Sequence, residues 1–235
     1  MEQKLRIGLA MCGSFCTFDK VLSIAEGWAD KYDLTGILSE TAASTDTRFG
    51  TAEHYIRRLE SLTGKPVMTT ITEAERVGPG KLFDVLVIAP CTGNTLAKLA
   101  HGITDTAVTM AAKAHLRNGR PVCVAFTTND GLSVTLQNVG VLMVRKNIYF
   151  VPFHQDDPIG KPNSLAADFT KLEQTLYFTI KENSTYYLHI QLVDYAGNEN
   201  VTTQTIISDT LNPVVTREYS IKENTNEYVI MVQYV

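Results

Sequence analysis

The chain has 235 residues, a net charge of −4 and 44% hydrophobic residues. This length allows one large domain, or one domain with a smaller appendage, and it can bury a sizeable core. The acidic balance gives no electrostatic basis for binding nucleic acid or an anionic membrane. The first apolar run is too short for a signal peptide, and no run approaches the ~20 apolar residues of a membrane span, so we expect a cytoplasmic protein.

Strand and helix patterns alternate through the first 180 residues. Short apolar runs predict strands at residues 5–11, 34–38, 66–70, 84–90, 121–126 and 148–152. Helical spacing of apolar residues predicts helices at residues 18–32, 52–62, 96–103, 107–116, 133–139 and 165–177. This order predicts an α/β fold with a doubly wound, Rossmann- or flavodoxin-like parallel sheet.

Local signals predict where several of these helices begin and end. Thr72 with Glu75 has the spacing of a capping box for a helix after the third strand. Gly140 is a candidate C-cap for the helix that starts near residue 133, and residues 141–146 either continue that helix or form a loop. Ser164 is expected to cap the helix at residues 165–177. The small residues of the helix at 107–116 suit close packing against another helix.

A strand, a polar turn and a helix start follow one another at residues 84–105. The apolar run stops at Pro90, small and hydroxylated residues follow to Thr95, and helical spacing begins at Leu96. Backbone amides and the helix dipole converge at such a turn and can bind an anion. A second turn, Gly13-Ser14, follows the first strand; it is either a phosphate-binding turn or an ordinary tight turn.

Two further polar segments follow predicted strands. The hydroxyl-rich run that begins at Ser39 could contact a ligand, or it could be a solvated loop with helix caps. Residues 127–132 could bind a ligand with amides and hydroxyls, or they could form a turn built on Asn129-Asp130-Gly131.

The central stretch resembles a known family. Pro90-Cys-Thr-Gly-Asn-Thr95, with residues 98–105 behind it, resembles the Pro-Ala-Ser-Ala-Asn-Thr signature of the flavoprotein family that includes the peptidyl-cysteine decarboxylases. Three further stretches, above all the Gln-Asp-x-Pro…Lys-Pro-Asn-Ser segment within residues 153–165, are similar to the family of dipicolinate synthase B subunits. The resemblance covers residues 4–178.

The resemblance implies a flavoprotein that binds FMN. It implies oxidation of a dihydrodipicolinate-type precursor, a dihydropyridine dicarboxylate, to dipicolinate during sporulation. It also implies a homo-oligomer whose partner is the nicotinamide-binding A subunit of dipicolinate synthase. A non-catalytic protein that stabilises this A subunit is the alternative. The residues that would contact the flavin are Gly13, Ser14, Phe15, Ser39, Thr41, Pro90, Thr92, Asn94, Thr95, Thr127, Thr128 and Asn129.

The chain departs from the decarboxylases at their catalytic histidine. The aligned position holds Arg76 or Val77, and neither can shuttle a proton at neutral pH. This argues against cysteine decarboxylation, and no catalytic residue is assigned. His54 and His101 are interpreted as surface or capping residues.

Other charged and sulfur-containing residues have simpler interpretations. Asp156, Asp157 and Lys161 could touch substrate or a partner, or they could belong to a solvated loop. Cys12 and Cys16 have no second pair or histidine cluster, so no zinc site is expected. All four cysteines are interpreted as buried and reduced.

Strand formers replace helix formers from residue 181 onward. Alternation predicts strands at residues 185–194 and 201–208, and one or two more within 214–235. The pattern resembles an incomplete immunoglobulin-like repeat of bacterial surface proteins, which would make an adhesive module a third functional hypothesis. We therefore divide the chain into an α/β domain, 1–180, and a β-rich tail, 181–235, that is either a fusion artefact or a natural tail.

Overall fold

The computed structural model describes residues 4–180, 185–193, 199–207 and 214–216. The chain forms two compact units, Met1–Leu176 and Tyr177–Val235. Within the described residues, no helix has both the length and the apolar character needed to span a membrane.

The larger unit is built on a seven-stranded, mostly parallel sheet. Its strands are β1 (Arg6–Met11), β2 (Asp33–Leu38), β3 (Val85–Cys91), β4 (Val122–Thr128), β5 (Ile148–Phe150), β6 (Phe153–His154) and β7 (Leu165–Ala167). The strand order is β2-β1-β3-β4-β7-β6, with β5 also paired to β4. Only β6 and β7 introduce antiparallel pairing. The predicted doubly wound, flavodoxin-like fold is confirmed, with a mixed rather than purely parallel sheet.

Helices cover both faces of this sheet. They are α1 (Phe18–Glu26), α2 (Glu40–Ser44), α3 (Ala52–Thr63), α4 (Ile71–Glu75), α5 (Gly93–His101), α6 (Ala107–Leu116), α7 (Val134–Met143) and α8 (Leu172–Ile180). Short 3-10 turns precede α1 at Phe15–Thr17 and α8 at Phe169–Lys171. Alternate residues of β3 enter two separate apolar clusters, one on each face. β3 is buried along its whole length, which fits its place at the centre of the sheet.

An ion-pair cluster joins the start of β1 to the start of β3. The guanidinium of Arg6 donates to both carboxylate oxygens of Asp84, at 3.1 and 2.6 Å, and the backbone N–H of Arg6 donates at 3.0 Å. Arg120 adds a second cation, 3.2 Å from the same carboxylate. Although burial opposes the shift, these bonds hold the pKa of Asp84 below its usual value.

Two predictions for residues 66–75 are wrong. Residues 66–70 do not form a strand, because only Met68 bridges to β2. The chain then turns, and the backbone N–H groups of Thr69 and Thr70 both donate to the side chain of Glu73. The capping box of α4 is therefore Thr70 with Glu73, two residues before the predicted pair.

Two predictions for later helix ends are also wrong. Gly140 is not a C-cap but lies inside α7. The helix continues to Met143, which is one of the two alternatives left open for residues 141–146, and Leu142 is fully buried there. Residues 165–167 form β7 instead of a helix, since they pair with both β4 and β6. Ser164 caps nothing: its hydroxyl bonds to Asp156, and Asp168 caps the 3-10 turn that follows β7.

Helix α1 is shorter than the predicted residues 18–32. It ends at Glu26, and the chain continues as a series of turns to residue 32. The small-residue helix, α6, matches its predicted bounds. Its small residues Ala107, Ala111 and Ala112 are fully buried, and its principal helix contact is α4 of the same chain.

The smaller unit contains a three-stranded antiparallel sheet. Its strands are β8 (Thr185–Val193), β9 (Glu199–Ile207) and β10 (Val214–Thr216), in the order β10-β9-β8. These strands correspond to the alternating segments of the sequence. The strands expected further along, within 217–235, lie outside the described residues.

Candidate functional site

The carboxyl ends of β1, β2 and β3 are joined by backbone hydrogen bonds beyond the sheet itself. The N–H of Cys12 donates to the carbonyl oxygen of Pro90 at 3.0 Å. The N–H of Ser39 donates to the carbonyl oxygen of Met11 at 3.1 Å. The loops after residues 11, 38 and 91 therefore start side by side at one edge of the sheet.

The turn after β1 has no internal requirement for its glycine. A Cβ built on Gly13 would lie 3.5 Å from the ring of Phe15 and 3.7 Å from the methyl group of Thr41, which are ordinary contacts. Ser14 precedes the 3-10 turn, but its hydroxyl does not cap it. Within the described residues, the hydroxyls of Ser14 and Thr41 make no hydrogen bond, so both are available to a ligand.

The two predicted site residues in the loop after β2, Ser39 and Thr41, have different roles. Ser39 is 6% exposed and caps α2, since its side chain accepts a hydrogen bond from the N–H of Ala42 at 3.3 Å. Its observed role is the helix cap, one of the two alternatives that the sequence left open. Thr41 is exposed beside Gly13 and is the residue of this loop nearest to the first turn.

The turn after β3 forms a capped helix start. The Ala89–Pro90 peptide bond is cis. The hydroxyl of Thr92 accepts from the N–H of Thr95 at 3.2 Å and donates to its hydroxyl at 3.1 Å. The N–H groups of Gly93 and Asn94 have no partner inside the helix, as at every helix start. The Asn94 side chain is exposed and unbonded within the described residues.

The end of β4 supplies a buried hydroxyl without a partner. The Oγ1 atom of Thr127 is shielded from solvent and makes no hydrogen bond within the described part of the chain. Burying a hydroxyl without a partner destabilises a protein by about 1–3 kcal/mol. A bound polar group that reached this atom would remove that penalty.

Asp130 joins the end of β4 to the start of α7 and lies beside the start of α5, and the sequence did not identify it as a site residue. Its carboxylate accepts hydrogen bonds from the hydroxyls of Thr128 and Thr135, the latter at 2.9 Å. The bond from Thr128 is the main cause that lowers the pKa of Asp130. A Cβ on Gly93 would lie 2.8 Å from the Thr128 hydroxyl, so the close approach of α5 requires glycine there. Because Asn129-Asp130-Gly131 is a typical turn tripeptide, the sequence indicated only a turn at Asp130.

The segment after β6 packs against the loop that follows β4. The N–H of Leu132 donates to the carbonyl oxygen of Asn163 at 2.9 Å. Asp156 bonds to Ser164 and lies 3.6 Å from Lys161, while Asp157 accepts from the N–H of Gly160 at 2.8 Å. These charged side chains make contacts within the segment and so stabilise its conformation.

Residues 76 and 77, two histidines and Cys16 were considered above as possible proton carriers or metal ligands. The structure gives the position of each. Val77 is fully buried and Arg76 ends α4. His54 and His101 are exposed on α3 and at the end of α5. Cys16 is exposed, so its predicted burial is wrong, since it lies on the outer side of the 3-10 turn before α1. Among the described residues, no group of three or more His, Cys, Asp or Glu side chains could hold a metal ion.

The site residues present fit a phosphorylated ring system. Phosphates are bound by backbone amides and hydroxyls at loop and helix starts, and ring edges by a few convergent polar groups. This edge of the sheet offers the available hydroxyls of Ser14 and Thr41, the amides at the start of α5 and the unpartnered hydroxyl of Thr127.

Known proteins resemble this chain over most of its length. The family described as Flavoprotein matches residues 1–184. The B subunit of dipicolinate synthase from Bacillus subtilis (strain 168) is 40% identical over 195 residues, which are 83% of this chain and 96% of that protein. The crystal structure of the dipicolinate synthase B subunit from Bacillus halodurans C is 40% identical, with a TM-score of 0.69, over 76% of this chain and 92% of that one.

A more distant structure shares the fold alone. The FMN-dependent cysteine decarboxylase SpaF is 24% identical, with a TM-score of 0.57, over 75% of this chain and 98% of that one. Together, the match to the family across residues 1–184 and the likeness to the B subunits show that the chain belongs to the Flavoprotein family.

Proposed function

We propose that this chain is the FMN-binding B subunit of a dipicolinate synthase. The flavin phosphate would bind at Gly13-Ser14, beside Phe15 and Thr41. The ring system would lie along two polar stretches, Pro90–Thr95 and Thr127–Asn129. The observation that carries the proposal is the buried, unpartnered hydroxyl of Thr127 at the edge of the sheet where the loops converge.

The carboxylate of Asp130 supports this orientation of the flavin. It lies against the start of α5, where a Cβ on Gly93 would be 3.3 Å from one of its oxygens. A carboxylate there already complements the positive end of the helix dipole and would repel a phosphate. The turn after β1 has no acidic side chain in its first residues, Gly13–Phe15, and so is the better phosphate site.

The proposed reaction is oxidation of a dihydrodipicolinate-type precursor to dipicolinate during sporulation, in the cytoplasm and together with a nicotinamide-binding A subunit. The flavin would accept the hydride equivalent that leaves the dihydropyridine ring. The chain's own residues would bind and orient the flavin and shield one side of it from water. Identity of 40% over 96% of the B. subtilis protein supports this reaction over decarboxylation, as does the lack of a titratable side chain at position 76 or 77 that could shuttle protons at neutral pH.

We further propose that the chain forms a homo-oligomer. The small residues of α6 are used inside the chain, so they do not supply the interface. Exposed apolar side chains on and beside α7 are the better support: Leu136, Val141, Met143 and Val144 are 42–86% exposed. A group of apolar side chains exposed together on one helix is typical of a surface that binds another chain.

A non-catalytic role is the second candidate function. The chain would then stabilise or complete the A subunit without taking part in electron transfer. Turnover by the isolated A subunit, with its nicotinamide cofactor, separates the two roles. If that isolated protein reaches the turnover of the pair, this chain is an accessory protein.

The colour of the purified protein tests the first proposal. Protein from cells should show the absorbance bands of bound flavin, or acquire them when FMN is added. A colourless protein that takes up no FMN would contradict it.

We propose that the chain divides near residue 180 and that residues 181–235 are an incomplete immunoglobulin-like repeat joined by a reading-frame fusion. The intact mass of the natural product tests this directly. A mass that includes all 235 residues would instead show a natural tail.

A further inference from the structure

Two cysteine side chains lie next to each other beneath the loops at the carboxyl edge of the sheet. Cys12 directly follows β1, and Cys91 ends β3, the parallel neighbour of β1. They are 1% and 0% exposed, and both belong to the same apolar cluster on one face of the sheet. Neighbouring strands lie about 5 Å apart, within the ~4.4–6.8 Å between Cα atoms that a disulfide spans.

Hydrogen bonds distinguish the two thiols. The thiol of Cys91 donates to the backbone carbonyl oxygen of Thr92 at 3.6 Å. The sulfur of Cys12 interacts through hydrogen bonding with the Cys91 thiol, the hydroxyl of Thr95 and the backbone of Thr92. These bonds lower the pKa of Cys12 against the opposing effect of burial. Burial raises the pKa of Cys91 well above its usual value. Cys12 is therefore the thiol that loses its proton first, and Cys91 keeps its proton.

We propose that Cys12 and Cys91 are a reversible redox pair, which a hydroperoxide converts to an intrachain disulfide. Cys12 is the residue that attacks the peroxide, and Cys91 is the residue that resolves the product. This role does not depend on flavin binding. Cys16 is exposed, and Cys123 lies in the cluster on the opposite face of the sheet, so neither faces this pair.

The chemistry balances in two steps. The Cys12 thiolate attacks one oxygen of hydrogen peroxide, the O–O bond breaks, and the departing oxygen takes up a proton and leaves as water. Cys12 is then a sulfenic acid. The sulfur of Cys91 attacks the sulfur of Cys12, the S–S bond forms, the S–O bond breaks, and the hydroxyl leaves as water with the proton of Cys91. The dithiol loses two electrons and two protons, and the peroxide is reduced to two waters.

Peptide mapping of the full chain tests the proposal. Trypsin cleavage places Cys12 and Cys16 in one peptide, residues 7–20, and Cys91 in another, residues 82–98. The Cys16→Ser variant therefore makes the assignment unambiguous. It is reduced, freed of reductant, treated with hydrogen peroxide while folded, and then unfolded in iodoacetamide. We expect the two peptides to become linked, to lose the mass of two hydrogen atoms, and to separate again in dithiothreitol.

Two outcomes would overturn the proposal. One is that Cys12 and Cys91 both carry the alkyl label after a peroxide treatment that oxidises Cys16 in the unmodified chain. The other is that either cysteine links to Cys123, which is equally buried and serves as an internal control.

Single substitutions test the division of roles. In Cys91→Ser, a cyclic dione that traps sulfenic acids should label Cys12. In Cys12→Ser, Cys91 should remain unoxidised. Oxidation of Cys91 in the second variant would contradict the assignment of Cys12 as the attacking residue. The first experiment needs neither variant, so the proposal stays testable if one of them fails to fold.

Discussion

The N–H of Cys12 donates to the carbonyl oxygen of Pro90 over 3.0 Å, which fixes the start of one site loop against the start of the other. This bond continues the β1–β3 pairing past the last paired residues of the ladder, Ala10 and Ile88. The turn proposed for the flavin phosphate and the turn proposed for its ring are therefore held at a set spacing by the backbone.

The unpartnered hydroxyl of Thr127 predicts effects of opposite sign on stability and on binding. Thr127→Val should stabilise the flavin-free protein by about 1 kcal/mol, because it removes a buried group without a partner. The same change should weaken FMN binding by about fivefold to tenfold, through the loss of roughly 1 kcal/mol of hydrogen bonding. Thermal unfolding and an FMN titration measure the two effects, and Thr127→Ser, which keeps the hydroxyl, is the control. Equal FMN affinity in Thr127→Val and the unmodified protein would show that the hydroxyl does not face the ligand.

Gly93 and Gly140 form a matched pair of helical glycines. In Gly93→Ala the new Cβ would lie 2.8 Å from the Thr128 hydroxyl and 3.0 Å from that of Thr135, so we expect a loss of about 1–3 kcal/mol. Gly140→Ala lies inside α7 with nothing within 4 Å and should gain about 0.5–1 kcal/mol. Urea unfolding of both variants checks the prediction. If Gly93→Ala is as stable as Gly140→Ala, α5 does not depend on close contact with the β4 loop.

Substitution of Gly13 should weaken ligand binding while leaving the stability of the fold nearly unchanged. In Gly13→Ala the new methyl group would make only ordinary contacts, at 3.5–3.8 Å, so the unfolding temperature should change little. The methyl group would enter the space proposed for the phosphate, so FMN affinity should fall by about tenfold or more. Calorimetric titration with FMN and with riboflavin, which lacks the phosphate, measures this. An equal loss for both ligands would place the phosphate elsewhere.

His115 makes stability depend on pH. It is 1% exposed, and its Nε2 atom lies 3.0 Å from the carbonyl oxygen of Pro121. Burial lowers its pKa from 6.5 to about 4. The unfolded chain therefore binds a proton at His115 before the folded chain does, so stability falls as the pH drops from 6.5 towards 4. The full effect is on the order of 3 kcal/mol.

Replacing His115 checks this dependence. His115→Leu should flatten the fall in the free energy of unfolding between pH 6.5 and 4. His101→Gln, which changes an exposed histidine, should leave the slope of the unmodified protein in place. A slope in His115→Leu equal to that of the unmodified protein would assign the dependence to other groups.

Periodicity and strand-end chemistry were enough to predict the parallel core of the sheet. The apolar run before Pro90 and the small-residue helix at 107–116 are local patterns with little competition from tertiary contacts. Residues 165–167 were predicted as helix because Leu165 fits a helical stripe, yet pairing with β4 and β6 decides their structure. Such pairing is a long-range contact that periodicity does not report.

In the candidate site, too, local sequence predicts some residues, whereas others depend on contacts between distant parts of the chain. Turn chemistry indicated Gly13-Ser14 and the start of α5, because both are local signals. The cap formed by Ser39 depends on where α2 begins, and the role of Asp130 depends on Thr135 from a neighbouring helix. The unpartnered state of Thr127 is visible only in three dimensions, since it depends on what surrounds the hydroxyl.

A titration of the flavin-free protein with FMN, followed by the absorbance and fluorescence of the flavin, tests the central claim most directly. We predict saturable binding with one FMN per chain, weakened in both Gly13→Ala and Thr127→Val, which change opposite ends of the proposed site. Absence of saturable binding by the folded protein, or binding unaffected by both substitutions, would contradict the account.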